Sequence, residues 1–457
     1  MKTIMYLFSV SDNFFIDYSP ILKEQGFQNF IGIAYGKNEN FGKFEFNDLI
    51  YISELEREIL SGKYELKNDL RDIEEFTNLS ISNCINADRH LMKKPKQLRE
   101  RLAYKIIDEA ISLINKYQVD LIFSSNAADL LSFFVSEYCL KANIHFLYPI
   151  HARIGSKFFY ACKFDNMPIN FLERYRQNLL EEKNREEQLI KEYVANKQQP
   201  GYLASSNELQ FKYLTFTQII DYLSYIKRYF ADNKSLHLTE SPLELFFGKL
   251  QKIFRKIGYD KVKKYSHFPE KYFIFPLQFI PEAATLVQGS KLYDMFALTE
   301  LLSKSMPYGY KLVVKEHKHC VGRRPVSFYK KISNFHNVTI CDENYDIYDL
   351  ISDSSGVLTI SSTMGLEAMI MGKPVGVLGQ NYFNISKNAY PLHNIYEIEN
   401  QLRLMIDHKF DKNDLLSIIK TILDCSFDAN IHPKYYSDLD KLPNVKAYIN
   451  SLKNKSA

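Results

Sequence analysis

Three clusters of chemically capable side chains each follow a short apolar run. Lys315, Glu316 and His317 come directly after Leu312-Val313-Val314, with Arg323 and Arg324 a few residues on. Ser361, Ser362 and Thr363 follow the run that starts at Gly356, and Glu367 lies one turn further along. Gln278, Glu282 and Thr285 sit in the segment Phe275–Thr285, which contains Pro276 and Pro281. Ionisable groups at the end of a buried strand cost desolvation unless something partners them. A phosphate would partner Lys315, His317, Arg323 or Arg324. His317 has the chemistry to neutralise or protonate a leaving diphosphate, with Glu316 beside it. Small hydroxyl residues and Gly365 at a helix start suit the approach of a phosphate. Glu367 can accept hydrogen bonds from a ribose diol or sugar hydroxyls.

Each cluster also has a plainer reading. Ser-Ser-Thr before a helix is an ordinary N-cap, and a glutamate in the first turns its usual partner. Lys-Glu-His reads as a loop with a structural ion pair. The two prolines make 275–285 a rigid loop rather than a helix. His317 and His319, two apart with no third ligand, do not complete a metal site, so no metal is expected.

The elements that must position these groups alternate. In the first 150 residues, Thr3 to Val10, Phe30 to Tyr35, Leu49 to Ile52, Val119 to Phe123 and Ile144 to Tyr148 read as strands. Residues 97–117 and 127–141 carry helical spacing. The second half repeats the alternation from residue 271 to 378, with Tyr272 to Leu277, Tyr310 to Lys315, Val338 to Cys341, Gly356 to Ile360 and Pro374 to Leu378 as strands, and 396–424 and 434–453 read as helices. Strand–helix–strand units of these lengths predict parallel sheets covered by helices. The fold expected is α/β: two Rossmann-like lobes facing a cleft, with a helical insertion and C-terminal helices. The boundaries are 1–167, 168–268 (helical connector), 269–395 and 396–457. In the first lobe, Asp12, Asp129 and His151 fall at strand ends, where a base could deprotonate an acceptor hydroxyl.

Residues 241–264 combine Leu243, Leu245, Phe246, Phe247, Leu250, Ile253, Phe254 and Ile257 with seven basic residues. This basic amphipathic helix reads either as a membrane-surface element or as an ordinary surface helix with its apolar face on the protein. The second reading is the commoner one.

Composition sets the outer limits. The hydrophobic fraction is 46% and the charged fraction 25%, which excludes a disordered chain. A formal net charge of +4 is too small to call for nucleic acid as a partner. The six scattered cysteines form no CxxC pair and suit a reducing cytoplasm. The N-terminal apolar run, interrupted at Asp12, reads as a strand rather than a signal peptide. No stretch approaches the roughly 18–20 apolar residues of a membrane span.

Taken in order, the three clusters resemble the capsule polysaccharide biosynthesis family, which includes Kdo transferases and related surface-glycan transferases. The resemblance rests on Pro276, Leu277, Gln278, Pro281, Glu282, Ala283 and Thr285; on Lys315, Glu316, His317, Gly322, Arg323 or Arg324, Phe328 and Tyr329; and on Ser362, Thr363, Gly365, Glu367, Ala368 and Gly372–Val375. Gly379, Tyr382 and Arg153-Ile154-Gly155 fit as well, while Lys318 departs from the family's proline. The likeness is good over roughly 270–385 and faint in the N-terminal half. It implies a cytoplasmic GT-B-like glycosyltransferase, and helix 241–264 is the element that would bring it to the cytoplasmic face of the inner membrane. Its donor would be a nucleotide-activated sugar and its acceptor a glycan or glycolipid, with no tightly bound cofactor. The alternatives are a CDP-polyol phosphotransferase, a sugar-nucleotide 2-epimerase and a non-catalytic capsule-assembly scaffold.

Overall fold

The computed structural model describes residues 2–8, 19–36, 44–124, 129–152, 154, 157–162, 167–196, parts of 220–227, 241–278, 284–289 and 294–428. Asp12, Arg153, Gly155, Glu282 and the expected helix 434–453 lie outside these residues, as does most of 197–240. The described residues form two compact units: 2–169 with the described parts of 220–227 and 426–428, and 170–196 with 241–425.

The first unit is organised by β1 (Lys2–Phe8), buried at six consecutive residues. A run that is apolar on both faces belongs in the middle of a covered parallel sheet. β1 lies between β2 (Phe27–Ala34) and β4 (Leu121–Ser124), parallel to both. β3 (Asp48–Tyr51) and β5 (His145–His151) extend the sheet in parallel. β6 (Lys157–Ala161) and β13 (Phe427–Asp428) then add antiparallel strands, giving the order β13-β6-β5-β4-β1-β2-β3. With no tryptophan available, the core is filled by Tyr6, Phe8, Phe30, Phe123, Phe158 and Tyr160. Phe158 and Tyr160 meet edge to face at 5.4 Å, a favoured aromatic geometry.

The second unit's sheet is built from β7 (Tyr272–Leu277), β8 (Lys311–Glu316), β9 (Val338–Cys341), β10 (Gly356–Thr359), β11 (Val375–Val377) and β12 (Ala389–Pro391). All neighbours pair in parallel, in the order β9-β8-β7-β10-β11-β12. Counted from β7 this is 3-2-1-4-5-6, the dinucleotide-fold order, and its direction reverses between β7 and β10. The two α/β lobes expected from the sequence are therefore present.

Of the helices expected as a separate connector, Phe171–Asn178, Asn184–Asn196 and Pro242–Asp260 group with the second unit, while the described parts of 220–227 group with the first. Helix Phe171–Asn178 packs on helix Lys412–Cys425, where Asn178 donates to Thr421 Oγ1 at 3.0 Å and Tyr175 bonds Asp414. The expected continuous helical stretch 396–424 is divided into Ile398–Ile406 and Lys412–Cys425. The segment after β7 was expected to be loop, yet Ala284–Gln288 forms a π-helical turn with Thr285 fully buried.

The basic helix Pro242–Asp260 reverses the commoner expectation. Its apolar stripe faces outward: Leu243 is 69% exposed, Phe247 63% and Phe254 70%. The face turned to the protein carries Lys252, Arg255, Gly258 and Tyr259. A Cβ at Gly258 would lie 2.4 Å from Val326 Cγ2, and one at Gly322 2.6 Å from the Lys252 carbonyl. At these two points the approach is so close that only glycine fits, while Lys252, Arg255 and Tyr259 pack around them. Among the described residues no helix is long and apolar enough to cross a membrane.

Candidate functional site

In a sheet of this order, ligands bind beyond the carboxyl ends of the strands flanking the reversal. β7 ends at Leu277 and β10 at Thr359, so Gln278 and Ser361–Thr363 occupy that place. Gln278 Nε2 donates to Thr359 Oγ1 at 2.8 Å, bridging the two strand ends. The same hydroxyl accepts the Ser362 N–H at 3.0 Å. Ser362 Oγ in turn accepts the Met364 N–H at 3.2 Å. Asn381, in the loop after β11, donates to the Ser361 carbonyl at 2.8 Å. Four segments are thus fixed relative to one another around the reversal point.

A buried ion pair supports this arrangement from β8. Arg324 Nη1 lies 2.7 Å from Glu316 Oε1 and 2.6 Å from Oε2, and its Nη2 donates to the Gln278 carbonyl. Glu316 also accepts from the Tyr329 hydroxyl at 2.5 Å and from the His317 N–H at 2.8 Å. Burial raises the Glu316 carboxyl above its usual range, opposed by Arg324 and Tyr329. Because Glu316 is 1% exposed with both oxygens occupied, the structure gives it a positioning role in place of the catalytic contact expected from sequence. Arg324 belongs to the same framework and lies over the Phe328 ring at 5.7 Å. The sequence left open which of Arg323 and Arg324 points inward. Arg324 is buried and Arg323 exposed.

Lys315 also departs from its expected role. Its ammonium donates to the carbonyls of Asp342, Glu343 and Tyr345 at 2.9, 3.2 and 2.9 Å. An ammonium has three donors, so none is left for a phosphate. Lys315 instead ties β8 to the loop after β9, and burial lowers its pKa. His317 is half-buried at the β8 end, the expected position for contact with a ligand.

Along the helix Met364–Ile370, Ser362 and Thr363 are half-buried, while Ser361 and Glu367 are buried. Gly365 owes its lack of a side chain to packing. A Cβ there would lie 2.9 Å from the Phe383 ring and 3.2 Å from Val375, which is not the close approach of a phosphate expected from sequence. Beside Glu367 lie two tyrosines that sequence reading passed over, Tyr193 and Tyr348. Their hydroxyls are buried and neither closes a hydrogen bond of ordinary geometry. Burial and then the Glu367 charge raise both phenols, that of Tyr348 to about 12. Thr359 was also missed. Its signal was a lone hydroxyl residue inside an apolar strand, the kind of buried polar group that must find a partner.

In the first unit, Asp129 caps helix Leu130–Ala142, accepting from the Ser132 N–H at 2.8 Å. Burial, and then the charge of Asp88, push its carboxyl up to about 6. His151 ends β5, opposite Phe158 of β6. Among the described residues no three His, Cys, Asp or Glu side chains gather to hold a metal.

The resemblance carried by the three clusters is borne out. The family described as capsule polysaccharide biosynthesis protein matches residues 184–387, which include the described site residues of the second unit but not Asp129 or His151. No curated protein matches the sequence. Among solved structures, the β-Kdo 2,7 transferase KpsC of Thermosulfurimonas dismutans is 13% identical, over 68% of this chain and 79% of that one, with a TM-score of 0.31. A UDP-GlcNAc 2-epimerase from Methanocaldococcus jannaschii is 13% identical, over 93% and 99%, with a TM-score of 0.28. Anabaena Alr3699/HepE, in complex with UDP, is 10% identical, over 99% and 100%, with a TM-score of 0.30.

Proposed function

We propose that this chain, whose residues 184–387 match the capsule polysaccharide biosynthesis family, is a glycosyltransferase. It moves a sugar from a nucleotide-activated donor to a growing capsular or surface polysaccharide or glycolipid. The observation that carries the reading is the Gln278–Thr359 bridge, which lies where a sheet of this strand order takes its ligand.

Two buried hydroxyls that face each other add support. Tyr193 and Tyr348 beside Glu367 are groups that a ribose or sugar diol would complete. In this reading Glu367 accepts from that diol. Ser361, Ser362 and Thr363 line the donor's path, with Gln278 positioned beside them. Glu282 lies in the same segment as Gln278 and belongs to the donor side on sequence grounds. His317 and the exposed Arg323 meet the diphosphate as negative charge develops on it. Arg324, Glu316 and Tyr329 hold the loop in place. On sequence grounds alone, Asp12, Asp129 and His151 are the candidates for the base that takes the acceptor hydroxyl's proton.

The test is a thermal-shift series with CMP, CDP, UDP and GDP and their sugar or glycerol conjugates. A nucleotide at about 100 times its dissociation constant adds roughly 2.7 kcal/mol to stability. One nucleotide should stabilise the wild type and fail to stabilise Glu367→Ala. Its sugar conjugate should then release nucleotide only when a glycan acceptor is present. Turnover of CDP-glycerol instead would assign the chain to polyol-phosphate transfer. No stabilisation by any nucleotide would remove the donor site and with it this reading.

A further inference from the structure

The helix Pro242–Asp260 is inside out for a surface helix. Leu243, Phe246, Phe247, Ile253, Phe254 and Ile257 form a stripe at positions i, i+3/i+4, i+7 and onward. All six are exposed, from 38% for Ile253 to 70% for Phe254. An apolar stripe of this size, rimmed by charge, marks an interaction surface.

The helix is held firmly in this orientation. It starts in a capping box, with Ser241 Oγ accepting the Glu244 N–H at 3.2 Å and Glu244 accepting the Ser241 N–H at 2.8 Å. Its inner face is anchored by Arg255, which donates to the Arg323 carbonyl at 2.6 Å, and by Tyr259, packed edge-on against Tyr329 at 4.6 Å. Turning the stripe inward would break these bonds and drive Gly258 and Gly322 out of their close contacts.

Charge selects the occupant. Residues 241–264 hold seven basic side chains and two acidic ones. That excess of five exceeds the +4 of the whole chain, so the rest of the protein is slightly acidic. Lys249 and Lys256 are exposed along one edge of the stripe, and Lys261 and Lys263 follow its end. A second copy of this chain would set the same lysines against each other across a two-fold axis. An anionic surface with an apolar interior accepts both the lysines and the phenylalanines.

We infer that the Pro242–Asp260 helix lies in the headgroup layer of an anionic bilayer, phenylalanine stripe inward and lysines against lipid phosphate. This goes beyond the transferase reading and does not depend on it, since lipid binding is measured without nucleotide. The helix also seats the loop that carries Arg324 to the Gln278 carbonyl, so the bilayer contact and the donor-site framework share one rigid support.

The test is co-sedimentation of the full chain with vesicles of phosphatidylglycerol and phosphatidylcholine, and with vesicles of phosphatidylcholine alone. Binding to the anionic vesicles should be at least about tenfold stronger and weaken with salt. Phe247→Glu/Phe254→Glu should abolish it, and Lys249→Ala/Lys256→Ala should weaken it severalfold. Both variants should keep the wild-type melting temperature, because the altered side chains face outward. Three results would overturn the inference. One is wild-type protein that ignores anionic vesicles. Another is a double glutamate variant that binds them unchanged. The third is a glutamate variant that splits a dimer or lowers the melting temperature while the wild type binds no lipid, which would make the stripe a contact between protein surfaces.

Discussion

The Gln278 side-chain amide and the Thr359 hydroxyl meet at 2.8 Å across the point where the second sheet reverses its strand order. One hydrogen bond thereby fixes the spacing of the two strand ends between which a ligand of such a sheet binds. Thr359 is fully buried and Gln278 is 6% exposed, so neither can exchange this bond for water.

Thr359→Val keeps the branched shape and removes the acceptor for both Gln278 and Ser362. A buried amide left unsatisfied costs about 1–3 kcal/mol, which denaturant unfolding would read. Adding Gln278→Leu should recover part of that loss, because the orphaned donor goes with it. Fully additive losses in the double-mutant cycle would show that the bond does not couple the two strands.

Arg324→Met strands the Glu316 carboxylate in the core. Breaking a buried pair from one side typically costs about 3–5 kcal/mol. Glu316→Met/Arg324→Met should be much more stable than the single variant, while losing the hold on the Gln278 carbonyl. The pH dependence of Arg324→Met has a fixed sign. Burial already raises the Glu316 carboxyl, and removing Arg324 raises it further. A carboxyl whose folded pKa is raised stabilises the fold most when protonated, so this variant should gain stability as pH falls and lose it as pH rises.

Asp129 should show the same sign in the wild type. Its carboxyl is lifted from 3.8 to about 6 by burial and the nearby Asp88. Its contribution is therefore greatest below pH 3.8 and is lost as pH climbs through about 6. Asn caps helices as well as Asp does, so Asp129→Asn should keep the cap and remove the charge. At neutral pH it should be more stable than wild type by about 1–3 kcal/mol, given about 1.4 kcal/mol per pKa unit. Stability curves for the two proteins that stay parallel between pH 4 and 7 would contradict the assignment.

Gly258→Ala separates packing from helix propensity. Propensity alone favours alanine by about 1 kcal/mol. The new Cβ would however lie 2.4 Å from Val326 Cγ2, so the substitution should destabilise by about 1–3 kcal/mol. Val326→Ala in the same chain should restore most of the loss. Rescue of this kind, read by thermal unfolding, would locate the contact that seats the basic helix.

Much of the architecture was legible in the sequence, because parallel strands buried on both faces leave continuous apolar runs. Tyr272–Leu277 and Val338–Cys341 were located to the residue, and β1, β8 and β10 to within two residues at each end. β12 and β13 were not, since three and two residues carry no periodicity. The clusters at the ends of β8 and β10 could also be read, because ionisable and hydroxyl residues after a buried strand need partners. Which partners they take is a matter of three dimensions. Lys315 and Glu316 look like ligand groups in one dimension, and both are fully engaged by backbone carbonyls and by Arg324. Thr359 looked like core and proved to be the bridge. The basic helix makes the same point most plainly. Its stripe and its lysines are written in residues 241–264, but the direction the stripe faces was decided by Gly258 and Gly322, whose missing side chains let a polar face come closest to the protein.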